Sequence, residues 1–441
     1  MAHEGRQLGG SSSVNTRKRN VEHLEEATVD RKITKVHPFF AKPVETKPSG
    51  PFVWLDPLGP TKSCLHGINL KPTSHTKVAA FDLDGTLIKS DFSNRGAASD
   101  PHWEWWRASI PTKFKELHES GYSIVVVSNQ AIKPLALKTF KQKIILIAAA
   151  LSDVPFRLFV AISKDYYRKP MPGIWTEIVQ IFNRDNVVID KISSFFVGDA
   201  AGRQYTGRKP DFSSTDRKWA LNIGIPFFTP EEYFLQLPTH SSFSLPGFNV
   251  SNLPNLPLLI PTSTPLLPDP PGKQELVMFV GYPCLGKTSF YRRHFEPAGY
   301  VHINQDILAT RNKCVKTMRE GLREGKSCVI DNTNRNASIR KFYIDAAKEL
   351  NVCIRCFVFT GQIELAWHNN LYRAYNRPFS ATPQEPRRDV VPYAAFTGFR
   401  DNYEEPKLSE GISEIKKVNW VFDGSEEEKR HWSMWLQVDG K

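Results

Sequence analysis

Long apolar runs are missing from this 441-residue chain. The longest, residues 144–151, falls far short of the ~20 residues that a bilayer span needs, and it fits a buried helix turn or strand. The opening residues, MAHEGRQLGGSSS, hold no apolar stretch of the kind a secretory leader carries. Cysteine is scarce too. Cys64, Cys284, Cys314, Cys328, Cys353 and Cys356 are too thinly spread for a disulfide framework, which points to a reducing compartment. Cys353 and Cys356 form one CxxC with no second Cys/His pair at finger spacing; within NVCIRCFVF they read as structural thiols on a buried strand rather than a metal site. These absences argue against integral-membrane and secreted classes. Apolar residues make up 40% and charged residues 24%, so the chain as a whole is neither disordered nor fibrous. Its length argues against a single small domain.

Positive charge is in excess. Lys and Arg number 58 against 46 Asp and Glu, a net charge of +12, which favours acidic partners such as nucleic acid, nucleotides or an anionic membrane, with solubility alone as the bland alternative. Residues 1–50 are Ser-, Gly-, Lys- and Glu-rich and are expected to be a disordered basic tail. Arg17-Lys18-Arg19 is a short basic cluster of the kind found in nuclear addresses, and the apolar island Val36-His37-Pro38-Phe39-Phe40 reads as a docking peptide for a partner or as a strap on the adjacent domain.

Residues 51–237 alternate strand and helix signals. Short apolar runs at 78–81, 124–127 and 194–197 are separated by helical stretches such as 111–120 and 133–151, the pattern of a parallel sheet with right-handed crossovers. Residues 238–273 are punctuated by proline, from Pro238 and Pro246 to Pro270 and Pro271, and read as a linker or surface belt. Residues 274–441 return to α/β, with strands expected at 276–280, 300–303 and 328–330. The fold class is therefore two α/β domains, each built on a parallel sheet. In such sheets chemistry sits at the carboxyl ends of strands.

Two strand ends carry chemistry. Phe81-Asp82-Leu83-Asp84-Gly85-Thr86 follows the first apolar run. Paired carboxylates at a strand end make a hard, oxygen-rich metal site; Gly85 permits a tight turn and Thr86 offers a hydroxyl to a phosphate oxygen. Gly281-Tyr282-Pro283-Cys284-Leu285-Gly286-Lys287-Thr288 reads G-x-x-x-x-G-K-T, and Ser289 follows it. A helix starting near Lys287 aims its N-terminus at that loop, so backbone N–H groups cradle a triphosphate, Lys287 reaches the β/γ-phosphates and Thr288 holds Mg²⁺. Asp306, after the strand at 300–303, is placed to act as a general base for an acceptor hydroxyl or to cap the next helix. Asp331-Asn332-Thr333-Asn334 looks like a degenerate Walker B element. Arg373 is a candidate lid arginine, with a solvated surface position as the alternative.

The first motif resembles the haloacid dehalogenase superfamily of phosphohydrolases. That resemblance aligns Ser128, Lys169 and Asp199 with the superfamily's later motifs. It implies that Asp82 forms an aspartyl phosphate, that Asp84 protonates the leaving alcohol and then activates water, that Ser128 and Lys169 stabilise the transferring group, and that Asp82 and Asp199 hold Mg²⁺ with the Asp84 carbonyl. The second motif implies a P-loop NTPase sheet that binds ATP. The two together resemble the polynucleotide kinase 3′-phosphatase family of DNA end-healing enzymes, through Val197-Gly198-Asp199-Ala200-Ala201-Gly202-Arg203, Asp211-Phe212-Ser213, Asp216-Arg217, Thr229-Pro230-Glu231-Glu232 and His368-Asn369-Asn370. The first domain is then a haloacid dehalogenase-like (Rossmannoid) 3′-phosphatase and the second a P-loop 5′-hydroxyl kinase, acting on DNA strand-break ends in the nucleus. Animal members carry a forkhead-associated module; residues 1–50 are too short and polar to form one, so a fungal-type member is expected.

Arg203, Arg208, Lys209, Arg311 and Lys313 are the candidate DNA-phosphate contacts, each weighed against a solvated surface role. Trp103, Trp105 and Trp106 beside Arg107 read as core packing or as a base-stacking cluster. Trp432 and Trp435 read as packing. The alternatives are an RNA end-healing enzyme, a metabolite phosphatase–kinase fusion, and a DNA-end scaffold without activity.

Overall fold

A computed structural model describes residues 51–90, 102–268, 273–381 and 387–437. The basic cluster at 17–19 and the apolar island at 36–40 lie outside these residues. The described residues belong to one compact unit that contains two sheets.

The first sheet is built from β1 (Phe52–Leu58), β2 (Cys64–Asn69), β3 (Lys77–Phe81), β4 (Tyr122–Asn129), β5 (Phe156–Ala161), β6 (Phe195–Val197) and β7 (Phe227–Phe228). Their order is β1-β2-β5-β4-β3-β6-β7. β5, β4, β3, β6 and β7 run parallel. The expectation of a parallel sheet needs one correction here: β1 and β2 pair antiparallel, and β2 pairs antiparallel with β5. The short connection between β1 and β2, turning through Gly59 (φ +85°), can only close a hairpin, since a parallel pair needs a long crossover.

Five helices cover this sheet: α1 (Ile110–Glu119), α2 (Leu137–Ala149), α3 (Gly173–Arg184), α4 (Thr215–Ile223) and α5 (Pro230–Leu235). The two faces follow the period of two along β3. Ala79 and Phe81 face a core with Phe114, Phe140 and Ile144 of α1 and α2. Val78 and Ala80 face the other, with Ile174, Ile178 and Phe182 of α3 and Trp219 of α4. Trp103, Trp105 and Trp106 are partly buried against the first of these cores, and Arg107 lies 4.7 Å above the Trp106 ring.

The second sheet contains β8 (Leu259–Ile260), β9 (Glu275–Val280), β10 (Val301–Ile303), β11 (Cys328–Ile330), β12 (Cys353–Thr360) and β13 (Glu414–Asn419), in the order β10-β11-β9-β12-β13-β8. All pairs are parallel except β13–β8. β8 lies inside the proline-rich segment 238–273. Two residues between Pro257 and Pro261 suffice for an edge strand, where one side needs no ladder donors. Upstream, the same segment bridges Arg203 to Phe243 and donates Ser244 N–H to Gly202 O. Its described residues form a belt from the loop after β6 to the edge of the second sheet. Cys353 and Cys356 fall on opposite faces of β12, three residues apart, so they cannot share an ion; burial pushes the Cys356 thiol up to about 12.

The helices around this sheet are α6 (Lys287–His294), α7 (Gln305–Leu308), α8 (Arg311–Arg323), α9 (Ala337–Lys348), α10 (Ile363–Leu371), α11 (Tyr393–Arg400) and α12 (Glu426–Trp432). No helix among the described residues is long and apolar enough to cross a membrane.

A buried ion pair ties β9 to β12. Arg355 donates Nε to Glu275 Oε2 at 2.5 Å and Nη2 to Oε1 at 2.6 Å, and Tyr300 OH also donates to Oε1. Removing Glu275 leaves the buried Arg355 charge with only the partly exposed Glu414, at 3.4 Å, to face it. Glu275→Ala is expected to lower unfolding stability by about 3–5 kcal/mol, read as a fall in the urea midpoint.

Candidate functional site

Two sites form at strand ends. In the first sheet, β3 ends at Phe81 and the chain turns at once, with Asp82 N–H donating to Val197 O at the end of β6. Carboxylate oxygens of Asp82, Asp199 and Asp216 come within 4.8 Å of one another. Asp216 arrives from the first turn of α4, where its Oδ2 also accepts from Ala200 N–H. Two glycines make this crowding possible. A Cβ on Gly85 (φ +81°) would stand 2.2 Å from Asp199 Oδ2, and a Cβ on Gly198 would stand 2.4 Å from Asp216 Oδ2.

Lys169 enters this cluster almost completely buried, 1% exposed. Its Nζ lies 2.6 Å from Asp82 Oδ1 and 2.8 Å from Asp216 Oδ1, and it donates to Val127 O at 2.9 Å. Its main chain is clamped by Asn129 at the end of β4, whose Oδ1 accepts from Lys169 N–H and whose Nδ2 donates to Lys169 O, both at 2.9 Å. Burial works against the ammonium charge, and Asp216 and Asp82 overcome it, so the lysine's pKa is raised. One cation does not balance three carboxylates. Burial pushes Asp82 up to about 7 despite Lys169, with Asp216 and Asp84 adding repulsion. Asp199 is held well above the ordinary carboxylate range, by burial first and then by the charges of Asp82 and Asp216.

A divalent hard cation fits this donor set, because it supplies the missing positive charge to clustered oxygens. The buried Thr86 hydroxyl, which has no hydrogen-bond partner among the described residues, suits a phosphate oxygen. Asp84 stands apart from the cluster of three. Gln130 Nε2 donates to its Oδ2, and Lys143 Nζ lies 3.9 Å from its Oδ1. Gln130 Nε2 also donates to Ser128 Oγ at 2.8 Å, so one amide links both side chains.

In the second sheet, β9 runs into the glycine loop, and Gly286 (φ +84°) is the N-cap of α6. Lys287 is 8% exposed and donates to Gly281 O at 3.1 Å and to Tyr282 O at 2.6 Å. Burial lowers its pKa to about 8. Thr288 Oγ1 donates to Asp331 Oδ2 at 2.6 Å. Asp331, at the end of β11, also lies 2.9 Å from His302 Nε2, and its main-chain oxygen accepts from Asn304 Nδ2. Burial opposes ionisation of Asp331, but His302, Thr288 and Lys287 prevail and hold its pKa low. Ser289 is exposed on the first turn of α6.

Asp306 is exposed on the first turn of α7, and Asn304, not Asp306, caps that helix. Arg373 sits in a π-helical stretch, Tyr372–Asn376, directly after α10, and its Nε has no hydrogen-bond partner among the described residues. The charges of Asp306 and Arg373 both act on Lys287, so the loop, Asp306, Asp331 and Arg373 share one neighbourhood.

The candidate DNA contacts separate. Arg203 requires a correction: it is 7% exposed, with Nε 2.8 Å from Asp211 Oδ2 and Nη1 2.7 Å from Glu231 Oε2. Its donors hold the loop after β6 together, so it is an internal clamp and not an open phosphate contact. Arg208 is exposed, stacked 3.6 Å from the centre of the Tyr205 ring, and Lys209 is exposed beside it. Arg311, over Phe342, and exposed Lys313 lie on the first turn of α8. Asp216, Asn129, Gln130 and His302 are site residues beyond the predicted set. Asp216 had one sequence signal, its place in the extended motif after Asp199; the other three had none.

Residues 77–234 match the family model described as Polynucleotide kinase 3 phosphatase. A bifunctional polynucleotide phosphatase/kinase from Schizosaccharomyces pombe is 37% identical over 364 residues, covering 82% of this chain and 83% of that protein. A putative bifunctional polynucleotide phosphatase/kinase from Acanthamoeba polyphaga mimivirus is 36% identical over 396 residues, covering 83% of this chain and 90% of that one. The polynucleotide 3′-phosphatase ZDP of Arabidopsis thaliana is 36% identical over 187 residues, covering 37% of this chain and 24% of that protein.

The raised carboxylates give a pH prediction. Asp82 titrates near 7 in the fold against an ordinary value of 3.8, so its contribution to stability is complete below 3.8 and is lost as pH rises through 7. A divalent ion binds the ionised form and offsets that loss. The gain in melting temperature on replacing EDTA by Mg²⁺ is therefore expected to be larger at about pH 8 than at about pH 5.5; equal gains would mean that the carboxylate cluster does not hold the ion.

Proposed function

The chain belongs to the bifunctional polynucleotide phosphatase/kinase family, and from that membership we propose that it repairs the ends of broken DNA strands, hydrolysing 3′-phosphates at the first site and phosphorylating 5′-hydroxyls with ATP at the second. One observation carries the reading: a buried lysine between two carboxylates and a glycine loop closed on its own lysine stand at strand ends of one compact unit.

At the first site, Asp82 attacks the phosphorus of a 3′-phosphate and the bond to O3′ breaks. Asp84 gives its proton to O3′. It then takes a proton from the water that attacks the aspartyl phosphate, which releases inorganic phosphate and restores Asp82. Gln130 holds the Asp84 carboxylate towards Ser128 for both transfers. Lys169 fixes Asp82 and, with Ser128, donates to the phosphoryl oxygens as their charge develops. Asp82, Asp199 and Asp216 would hold Mg²⁺, which supplies neutralisation of the incoming phosphate charge when bound.

At the second site, Lys287 now donates to two neutral carbonyls, and anionic phosphate oxygens are stronger acceptors for it. Gly281, Gly286 and Ser289 complete the cradle for ATP. Thr288, oriented by Asp331, would hold the nucleotide's Mg²⁺. Asp306 takes the proton of the 5′-hydroxyl as it attacks the γ-phosphorus, and Arg373 faces the charge of the transferring group. Arg208, Lys209, Arg311 and Lys313 supply phosphate contacts, in keeping with the net charge of +12. The same reading assigns Arg17-Lys18-Arg19 to a nuclear address and the island at 36–40 to a repair-protein partner.

A gapped DNA duplex with 3′-phosphate and 5′-hydroxyl ends tests both chemistries in one tube. The wild type is expected to process both ends and to prefer this duplex to its RNA counterpart; equal rates on RNA would move the substrate assignment. Asp82→Asn should bring 3′-phosphate release to background and leave 5′-phosphorylation intact. Lys287→Ala should do the reverse. If either variant loses both activities while remaining folded, the two sites are not independent.

A further inference from the structure

The last described residues of the chain reach back to the first site. Asn222, near the end of α4, donates Nδ2 to Pro170 O and to Trp435 O, each at 2.8 Å, and its Oδ1 accepts from Trp435 N–H at 2.8 Å. The side-chain amide thus pairs with the Trp435 main chain on both edges, and a further bond holds the carbonyl next to Lys169. One turn earlier on α4, Lys218 Nζ donates to Gln437 O at 3.1 Å. Met171, Leu371 and Leu436 close an apolar cluster over the same turn.

The other end of this strap is fixed to the second site. Trp432 Nε1 donates to Asn369 Oδ1 at 2.8 Å, Asn369 Nδ2 donates to Cys284 O in the glycine loop at 3.1 Å, and His368 Nε2 lies 2.6 Å from Trp432 O. Residues 434–437 therefore leave a rigid anchor on the second half and end against the Lys169-Pro170-Met171 turn of the first.

We propose that residues 434–437 serve the 3′-phosphatase reaction: through Asn222 they fix the Lys169-Pro170 turn, and so fix Lys169 Nζ between Asp82 and Asp216. Asn222 and Trp435 are positioning residues in this scheme, and neither touches substrate. The physical reason lies in the length of the lysine side chain. Asp82, Asp216 and Val127 O hold the head of the four-carbon stem, the held main chain sets where that head can reach, and reacting groups misplaced by about 1 Å can lose two orders of magnitude in rate. Asn129 grips the Lys169 peptide on one side. Asn222 grips the following carbonyl on the other, and the strap prevents its amide from rotating away. The inference rests on the phosphatase reading above.

The test uses full-length protein and a 3′-phosphorylated duplex, with kcat and KM measured separately and kinase activity and melting temperature read on the same preparations. Asn222→Ala removes the grip. Beyond what Trp435→Ala removes, Trp435→Pro removes the N–H that Asn222 accepts from and fixes the backbone at 435, so its melting temperature is read beside its rate. Asn222→Ala and Trp435→Pro should each lower phosphatase kcat by roughly tenfold, the scale seen for losing a partner one shell from a reacting group, with KM and the kinase unchanged. Trp435→Ala keeps the N–H and should keep kcat. Wild-type kcat in Asn222→Ala, or equal rates in the two Trp435 variants, overturns the inference while leaving the phosphatase reading standing. So does a joint fall of both activities with the melting temperature, which would mark a purely structural role. Absence of phosphatase activity in the wild type overturns both.

Discussion

Lys169 carries a single positive charge into a space shared by three carboxylates, and much of the first half of the molecule is arranged to keep it there. Asn129 sets its main chain, Val127 O accepts a further hydrogen bond from the ammonium, and Gly85 and Gly198 leave room for the carboxylates to close around it. A buried ammonium without those partners would cost several kcal/mol, and the carboxylates without the ammonium would repel one another. The arrangement still falls short of neutrality. Burial first, and then that shortfall, raises Asp82 and Asp199, and a bound cation would relieve both.

The second site solves a related problem with different means. Its lysine is buried among neutral carbonyls, and its carboxylate, Asp331, is already satisfied by Thr288, His302 and Asn304. Charge there is prepared to receive a ligand that brings its own negative groups. In the first site the negative groups belong to the protein. The contrast fits the proposal of a side-chain nucleophile at the first site and of direct transfer from a bound nucleotide at the second.

The parts of this arrangement that are local in sequence could be read from it. Residues 78–81 and 276–280 are apolar runs that end in polar turns, and both become central strands whose ends carry the motifs. Asp82 and Asp199 lie just past such strand ends, and Lys287 and Thr288 follow the glycine loop that leaves one, because strand periodicity marks where a strand stops. Asp216 is different. It stands on the first turn of a helix, its partners are Lys169 and Ala200, and no spacing rule connects those positions. Arg203 looked like an open cation because Asp211 and Glu231, which neutralise it, become neighbours only in the fold. The antiparallel edge of the first sheet was missed because the alternation of strand and helix signals begins only at β3, after the hairpin. Asn129 and Asn222 are ordinary amides in sequence, and their importance comes entirely from what lies across from them.

The belt has one more consequence, at the edge of the second sheet. β13 would otherwise present a free row of main-chain groups on its outer side. Leu259 and Ile260 occupy part of it, Asn419 N–H donates to Leu258 O, and Lys416 Nζ donates to Thr264 O. Pro257 and Pro261 flank the added strand and cannot extend the ladder outward. A foreign chain seeking to add a strand there meets proline in place of donors, so the segment that joins the two halves also guards the molecule against edge-to-edge aggregation.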